Sequence, residues 1–309
     1  MTKVHDAVTA SIVIPSYNHE AFIEAAVASC FDQTHPNIEV IVVDDGSKDR
    51  SLSYLRSVHA PFFTLITQEN AGAHAAINRG LEAAKGEYLA ILNSDDVFDP
   101  LRLEAVIAAM RTADAGFGCS WLRQIDAAGR PGPVKEGWRN QLPSWVRGDG
   151  VDGASFAQHL ARSNFISTTS NMVMTRELFG EVGGMRKLRF AHDWDFAFRA
   201  CVAGTPVMVE RALLSYRTHA TNTIRTHQAW MMFEVLWCFA VHLPALAERG
   251  DVALSTEDGR VVPPIDLGEH AQTYRDLYDH IHAGGDADAA AERLLDEPET
   301  RAPFIAAIS

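Results

Sequence analysis

Four short runs rich in β-branched and apolar residues, each but the last followed by a helical stretch, occupy the first hundred positions and leave few folds open. The runs are ASIVIPSY, IEVIVVDDGS, FFTLITQ and GEYLAILNSDD. Between them lie helical patterns over Glu20–Gln33, Asp49–Val58 and Ala73–Ala84, the first with Phe22, Ile23, Ala26 and Val27 on one face. Strands joined by helices of about 10–15 residues pair in parallel, because a hairpin cannot span such a connection. Continuous apolar runs such as IVVD suit strands covered on both faces. The pattern predicts an α/β fold, with a mostly parallel central sheet flanked by helices.

The rest of the chain is less regular. A helix is expected over Leu101–Arg111 and a strand near Gly116–Leu122. The polar, Gly/Pro-rich passage from Asp126 to Gly150 reads as a lid or binding loop. Its Trp138 and Trp145 suit either stacking on a sugar or covering a core. Beyond it a helix at Ser155–Arg162, a strand near Ser170–Met174, a helix containing HDWDFAFRACVAG and a strand PVMVERALLSY are expected, then helices from His227 on. The stretch Ala229–Leu246 is long enough to span a bilayer, yet Glu234, His242 and Pro244 interrupt it. It is expected to bury its face against the rest of the chain or against a second copy.

With 27 basic and 40 acidic residues, the net charge is −13. That excludes a general nucleic-acid binder and argues against an electrostatic grip on anionic lipid. An anionic ligand would need a cation or backbone N–H groups to hold it. Cys30, Cys119, Cys201 and Cys238 are scattered, without zinc spacing, which points to buried thiols in a reducing compartment. The amino-terminal residues contain no apolar core of signal-peptide length, so a cytoplasmic location is expected.

Ligands of open parallel sheets bind beyond the carboxyl ends of the strands. There this chain carries PSYN, DDGS and NSDD. A single Asp at such a turn is an ordinary cap, but paired Asp residues repel unless a cation or ligand donors sit beside them. No G-x-G-x-x-G follows the first strand and no G-x-x-x-x-G-K-[ST] is present, which disfavours dehydrogenases and phosphate-loop NTPases. A nucleotide remains compatible, its phosphates neutralised by a divalent cation on the acidic cluster.

From Ser11 to about Leu103, and again at HDWDFAFRA and LLSYRTHATNT, the chain resembles the family 2 glycosyltransferases of the GT-A fold. The resemblance implies an inverting transferase with a GT-A domain over 1–225 and a helical C-terminal extension over 226–309. Within that domain, 1–112 would form the nucleotide-sugar half and 113–225 the acceptor half. It assigns Pro15, Ser16, Tyr17 and Asp45 to the base and ribose, with Gly72, Asn93, Ser94 and Asp96 completing the nucleotide-sugar contacts. Asp95 and His219 would hold Mn2+ or Mg2+, and Asp193 would be the catalytic base. Two positions depart from the family pattern: Asn93 where Asp is usual, and His192 where Glu is usual. The implied partners are a nucleotide-sugar donor, UDP-linked by family prevalence, and a saccharide or lipid-linked acceptor in surface polysaccharide synthesis. No nucleic-acid partner is implied, and the C-terminal helices offer a face for peripheral membrane contact or homo-oligomers. The competing readings are a sugar-nucleotide nucleotidyltransferase, whose Gly-rich basic signature PSYNHEAF lacks, and a binding module without transfer activity, suggested by Asn93 and His192.

Overall fold

The computed structural model describes residues 9–140, 155–219 and 227–308. The expected alternation opens the chain as β1 (Ala10–Ser16), α1 (Ile23–Phe31), β2 (Ile38–Asp44), α2 (Ser51–Ser57), β3 (Phe63–Thr67), α3 (Ala73–Ala83) and β4 (Tyr88–Ile91). A two-residue β5 (Val97–Phe98), α4 (Arg102–Ala113) and the long β6 (Phe117–Ile125) follow. Next come β7 (Pro131–Lys135), α5 (Phe156–Leu160), β8 (Val173–Thr175), α6 (Arg176–Val182), α7 (His192–Ala203) and β9 (Val207–Arg217).

These strands form one nine-stranded sheet in the order β3-β2-β1-β4-β8-β6-β9-β5, with β7 beside β6. It is parallel across β3-β2-β1-β4 and between β6 and β9. It turns antiparallel where β8, β7 and β5 join. The period-two alternation of a strand sorts its side chains between two cores. Val13, Ile41, Val43, Leu89 and Ile91 face α3 and α7. Ile12, Ile14, Val40, Val42 and Ala90 face α1 and α4. Both faces are covered, which explains why these strands read as unbroken apolar runs.

The passage from Asp126 is not a structureless loop over its first part. Asp126 accepts from the backbone N–H groups of Ala128 and Arg130, closing a turn that returns β7 along β6. The turn residues DAAGR are the local cause, with Gly129 at φ +80. Trp138 then stacks on His159 at 4.3 Å and meets the edge of Phe165 at 5.2 Å, covering a core. Trp145 lies outside the described residues. Helix α5 begins with a reciprocal capping pair, Ser155 and Gln158.

The apolar stretch forms α8 (Gln228–Glu248), which is long and apolar enough to cross a membrane by length and composition. Its side chains Phe233, Leu236, Trp237, Phe239 and Leu243 are nevertheless buried inside the protein. It packs on α7 and on α9 (Ala271–His282), α10 (Ala287–Asp296) and α11 (Pro298–Ile308). Its polar interruptions have partners elsewhere in the protein. Glu234 accepts from the backbone N–H groups of Arg189, Phe190 and Ala191 at 2.7–3.0 Å. His242 Nε2 lies 2.8 Å from the Asp195 carboxylate. Both therefore hold the entry and first turn of α7. All four cysteines are free and buried, as expected.

Candidate active site

Three loops meet at the carboxyl edge of β1, β2 and β4. The loop after β1 is pinned to the loop after β2, where Asn18 N–H donates to Ser47 Oγ and Lys48 N–H donates to Asn18 Oδ1. His19 N–H donates to Ser51 Oγ at 3.0 Å, and its Nδ1 lies 2.7 Å from Ser94 Oγ on the loop after β4. The end of β9 closes the group: Arg217 Nε donates to the Asp95 carbonyl at 2.7 Å.

Asp95 and His219 come together, His219 Nε2 lying 2.9 Å from Asp95 Oδ2. A third side chain, not anticipated, joins them. One ligand atom each from His19, Asp95 and His219 lies within 4.8 Å of the others. Burial, opposed by the Asp95 charge, lowers the His19 pKa and favours its neutral, ligand-competent form. Two imidazoles and one carboxylate fit a divalent transition-metal ion.

Two neighbours of Asp95 turn away from this cluster. Asp96 is buried, its oxygens accepting from Arg217 N–H at 2.8 Å and Ser170 Oγ–H at 2.6 Å. Burial, then the adjacent Asp95 charge, raises its pKa well above the ordinary carboxylate value. A nucleotide-sugar contact was expected at Asp96; its side chain lies inside the protein and joins β9 to the turn at 169–171. Asn93 donates to Thr168 Oγ1 at 3.0 Å and accepts from Thr169 Oγ1 at 2.9 Å. An aspartate there would lose the donor and add a third carboxylate beside Asp95 and Asp96, which accounts physically for the departure.

At the carboxyl edge of β1, Pro15 and Ser16 end the strand inside the protein and Tyr17 is exposed. Asp45 was expected to meet the nucleotide, but its oxygens are taken by Gln68 Nε2, Ala71 N–H and Gly72 N–H at 2.7–2.9 Å. Gly72, at φ +91, starts α3 in a conformation that other residues rarely adopt. Among the buried side-chain polar atoms of the described residues that have no partner are Ser16 Oγ and Asp44 Oδ2, on residues paired in register across β1 and β2. Buried polar atoms normally have a hydrogen-bond partner, an ordered water included.

The turn carrying Thr168 and Thr169 also reaches Asp193. Asn164 Nδ2 donates to Asp193 Oδ2 at 3.0 Å, and Asn164 Oδ1 accepts from Ser167 N–H. Asp193 Oδ1 accepts from Trp194 N–H at 2.9 Å. Burial outweighs these bonds and pushes the Asp193 pKa up to about 6. Nearby, buried Lys135 donates to Ser167 Oγ at 2.6 Å, and desolvation lowers it to about 8. A carboxylate titrating near neutrality is suited to accept a proton.

Asp195, two residues further along α7, has the opposite environment. Arg186, Arg199 and His242 contact it at 2.7–3.0 Å. Although burial acts the other way, the two guanidiniums and the His242 bond depress its pKa below the ordinary range. It is therefore an ionised structural centre, unsuited to proton transfer at neutral pH. Its stabilisation is present above the ordinary value of 3.8 and lost as pH falls below it. Asp195→Ala should cost roughly 3 kcal/mol, the low end for a broken buried pair, because Arg199 would keep only backbone carbonyls and Arg186 only Glu292. Urea denaturation would check this, and an unchanged midpoint would reject it. His192 is stacked on His74 with centroids 6.3 Å apart, and burial lowers its pKa to about 4.

Residues 11–193 match the model of glycosyl transferase family 2, and the chain belongs to that family. An uncharacterized glycosyltransferase of Nostoc sp. is 36% identical over 224 residues, which cover 69% of this chain and 65% of the relative. The match thus spans just under two thirds of that relative's own length. The GT-A fold is shared with S. aureus TarS (residues 1–349) in complex with UDP-GlcNAc, at a TM-score of 0.59 and 18% identity. That alignment covers 97% of this chain and 82% of TarS. Mannosyltransferase PcManGT from Pyrobaculum calidifontis, in complex with GDP-Man and Mn2+, aligns at a TM-score of 0.52 and 19% identity over 97% of this chain and 85% of its own. At such identities the likeness concerns the fold alone.

Proposed function

We propose that the protein is an inverting glycosyltransferase that moves a sugar from a nucleotide diphosphate donor to a hydroxyl of a saccharide or lipid-linked saccharide. A UDP-sugar is the preferred donor, and assembly of a surface polysaccharide at the cytoplasmic face of the membrane is the preferred setting. The observation that carries the reading is the hydrogen-bonded segment 164–171. It joins the loop bearing Asp95 to a buried carboxylate, Asp193, whose pKa is about 6.

In this reading Asp95 and His219 hold a divalent cation, Mn2+ or Mg2+, which relieves the charge of the departing diphosphate. Ser16 and Asp44 offer hydrogen bonds to the nucleoside. Asp193 takes the proton of the acceptor hydroxyl as that oxygen attacks the anomeric carbon, and no second carboxylate nucleophile is needed. The domain over 1–225 supplies all of these groups, and the helices over 226–309 brace α7.

A thermal-shift screen of UDP-, dTDP- and GDP-sugars with and without Mn2+ tests the proposal. UDP-sugars with Mn2+ should raise the melting temperature and undergo slow donor hydrolysis. No shift and no hydrolysis with any donor would overturn it. A shift without hydrolysis or transfer would favour a binding module.

A further inference from the structure

We infer that His19 is a third protein ligand of the cation, making a His–Asp–His centre that prefers Mn2+ or Co2+ to Mg2+. The inference rests on the metal-dependent reading above and adds a ligand and a selectivity to it.

Three loops converge to fix the ring. Its backbone N–H is held by Ser51 Oγ, and its Nδ1 by Ser94 Oγ, the residue adjoining Asp95. The ring lies 6.0 Å, edge-on, from Phe22. Phe22 also lies 4.8 Å from the His219 ring and beneath the Arg217 guanidinium at 5.0 Å. Both imidazoles are thus set by the same aromatic side chain at the entry to α1. A ligand atom of His19 stands within 4.8 Å of those of Asp95 and His219. Ligand atoms about 2.1 Å from a shared ion sit roughly 3–4 Å apart, so a small side-chain adjustment brings all three into one shell.

If the ion sits on Nε2, Nδ1–H donates to Ser94 Oγ. Metal-bound histidines commonly fix their tautomer and ring orientation in this way. The chemistry of the set then decides the ion. Mg2+ favours oxygen donors and retains most of its water, whereas imidazole nitrogen shifts preference along the series from Mn2+ to Co2+. A site of carboxylates alone would not discriminate in this direction.

The test uses the metal ions alone, with no donor. Titration of the whole chain with Mn2+, followed by the electron paramagnetic resonance of the free aqua ion, gives affinity. Pulsed measurements of nitrogen coupling count the imidazoles on bound Mn2+, and Mg2+ competition gives selectivity. The wild type should show two imidazole couplings. His19→Gln should show one, weaken Mn2+ by at least about tenfold, and leave Mg2+ affinity within about twofold. His19→Asn serves as a second variant, and circular dichroism verifies folding of both. If both variants keep two couplings, or weaken Mn2+ and Mg2+ alike, His19 only orients Ser94 and the inference is overturned. If Asp95→Asn abolishes Mn2+ binding while the His19 variants bind normally, the metal reading survives and the third ligand is rejected. If the wild type binds neither ion, both readings fall.

Discussion

Asp193→Asn should lower turnover by roughly 10²-fold or more, the scale of a lost general base, while donor affinity stays nearly unchanged. The amide keeps the size of the carboxylate but lacks its basic lone pair. Because the Asp193 pKa stands at about 6, kcat/KM of the wild type should rise with pH through that value as the base ionises. The sign for stability is opposite. A raised folded pKa contributes stability below the ordinary value of 3.8, and that contribution is lost as pH rises through about 6. The variant should therefore fold normally at neutral pH. Collapse of donor affinity with normal residual turnover would show that Asp193 binds or caps. With Asp195 locked among two arginines and a histidine, no neighbouring carboxylate on α7 is suited to replace it.

Asp95→Asn and exhaustive chelation should each abolish transfer, a loss on the order of 10³-fold if the cation supplies several kcal/mol of charge stabilisation. Both should also weaken binding of the diphosphate nucleotide. His219→Ala should give a milder version, since Asp95 would remain. Full activity in EDTA after dialysis would end the metal-dependent mechanism.

The half of the fold that could be read in advance is the half whose strands are covered on both faces. Its apolar runs and helical intervals carry two unmistakable periods, and its carboxylates fall at strand ends by topology. The entry of β8 and β5 was less legible. Strands of three and two residues carry no period, and their direction follows from partners far away in the chain. The same limit applies to the site. Asp95, His219 and Asp193 were singled out by resemblance to motifs, but a motif does not say which way a side chain points. Asp96 turns inward because Arg217 N–H and Ser170 Oγ meet it there, and Asp45 is taken up by the 68–72 loop. SNFISTTSN offers neither a period nor a charge, yet its polar groups hold both Asn93 and Asp193. A lone histidine in YNHE carries no metal spacing until the fold brings it beside Asp95 and His219.

The contacts made by α8 impose an order on biogenesis. The β1–β4 layer can form while the chain is still emerging from the ribosome, since its pairings close within its own sequence. The start of α7 cannot be completed so early. Three of its preceding backbone N–H groups await Glu234, and Asp195 awaits His242. Until that later helix has been synthesised and docked, the turn entering α7 lacks the contacts of Glu234 and His242. A nascent chain can therefore pair its β1–β4 layer before the start of α7 has acquired the contacts that α8 supplies.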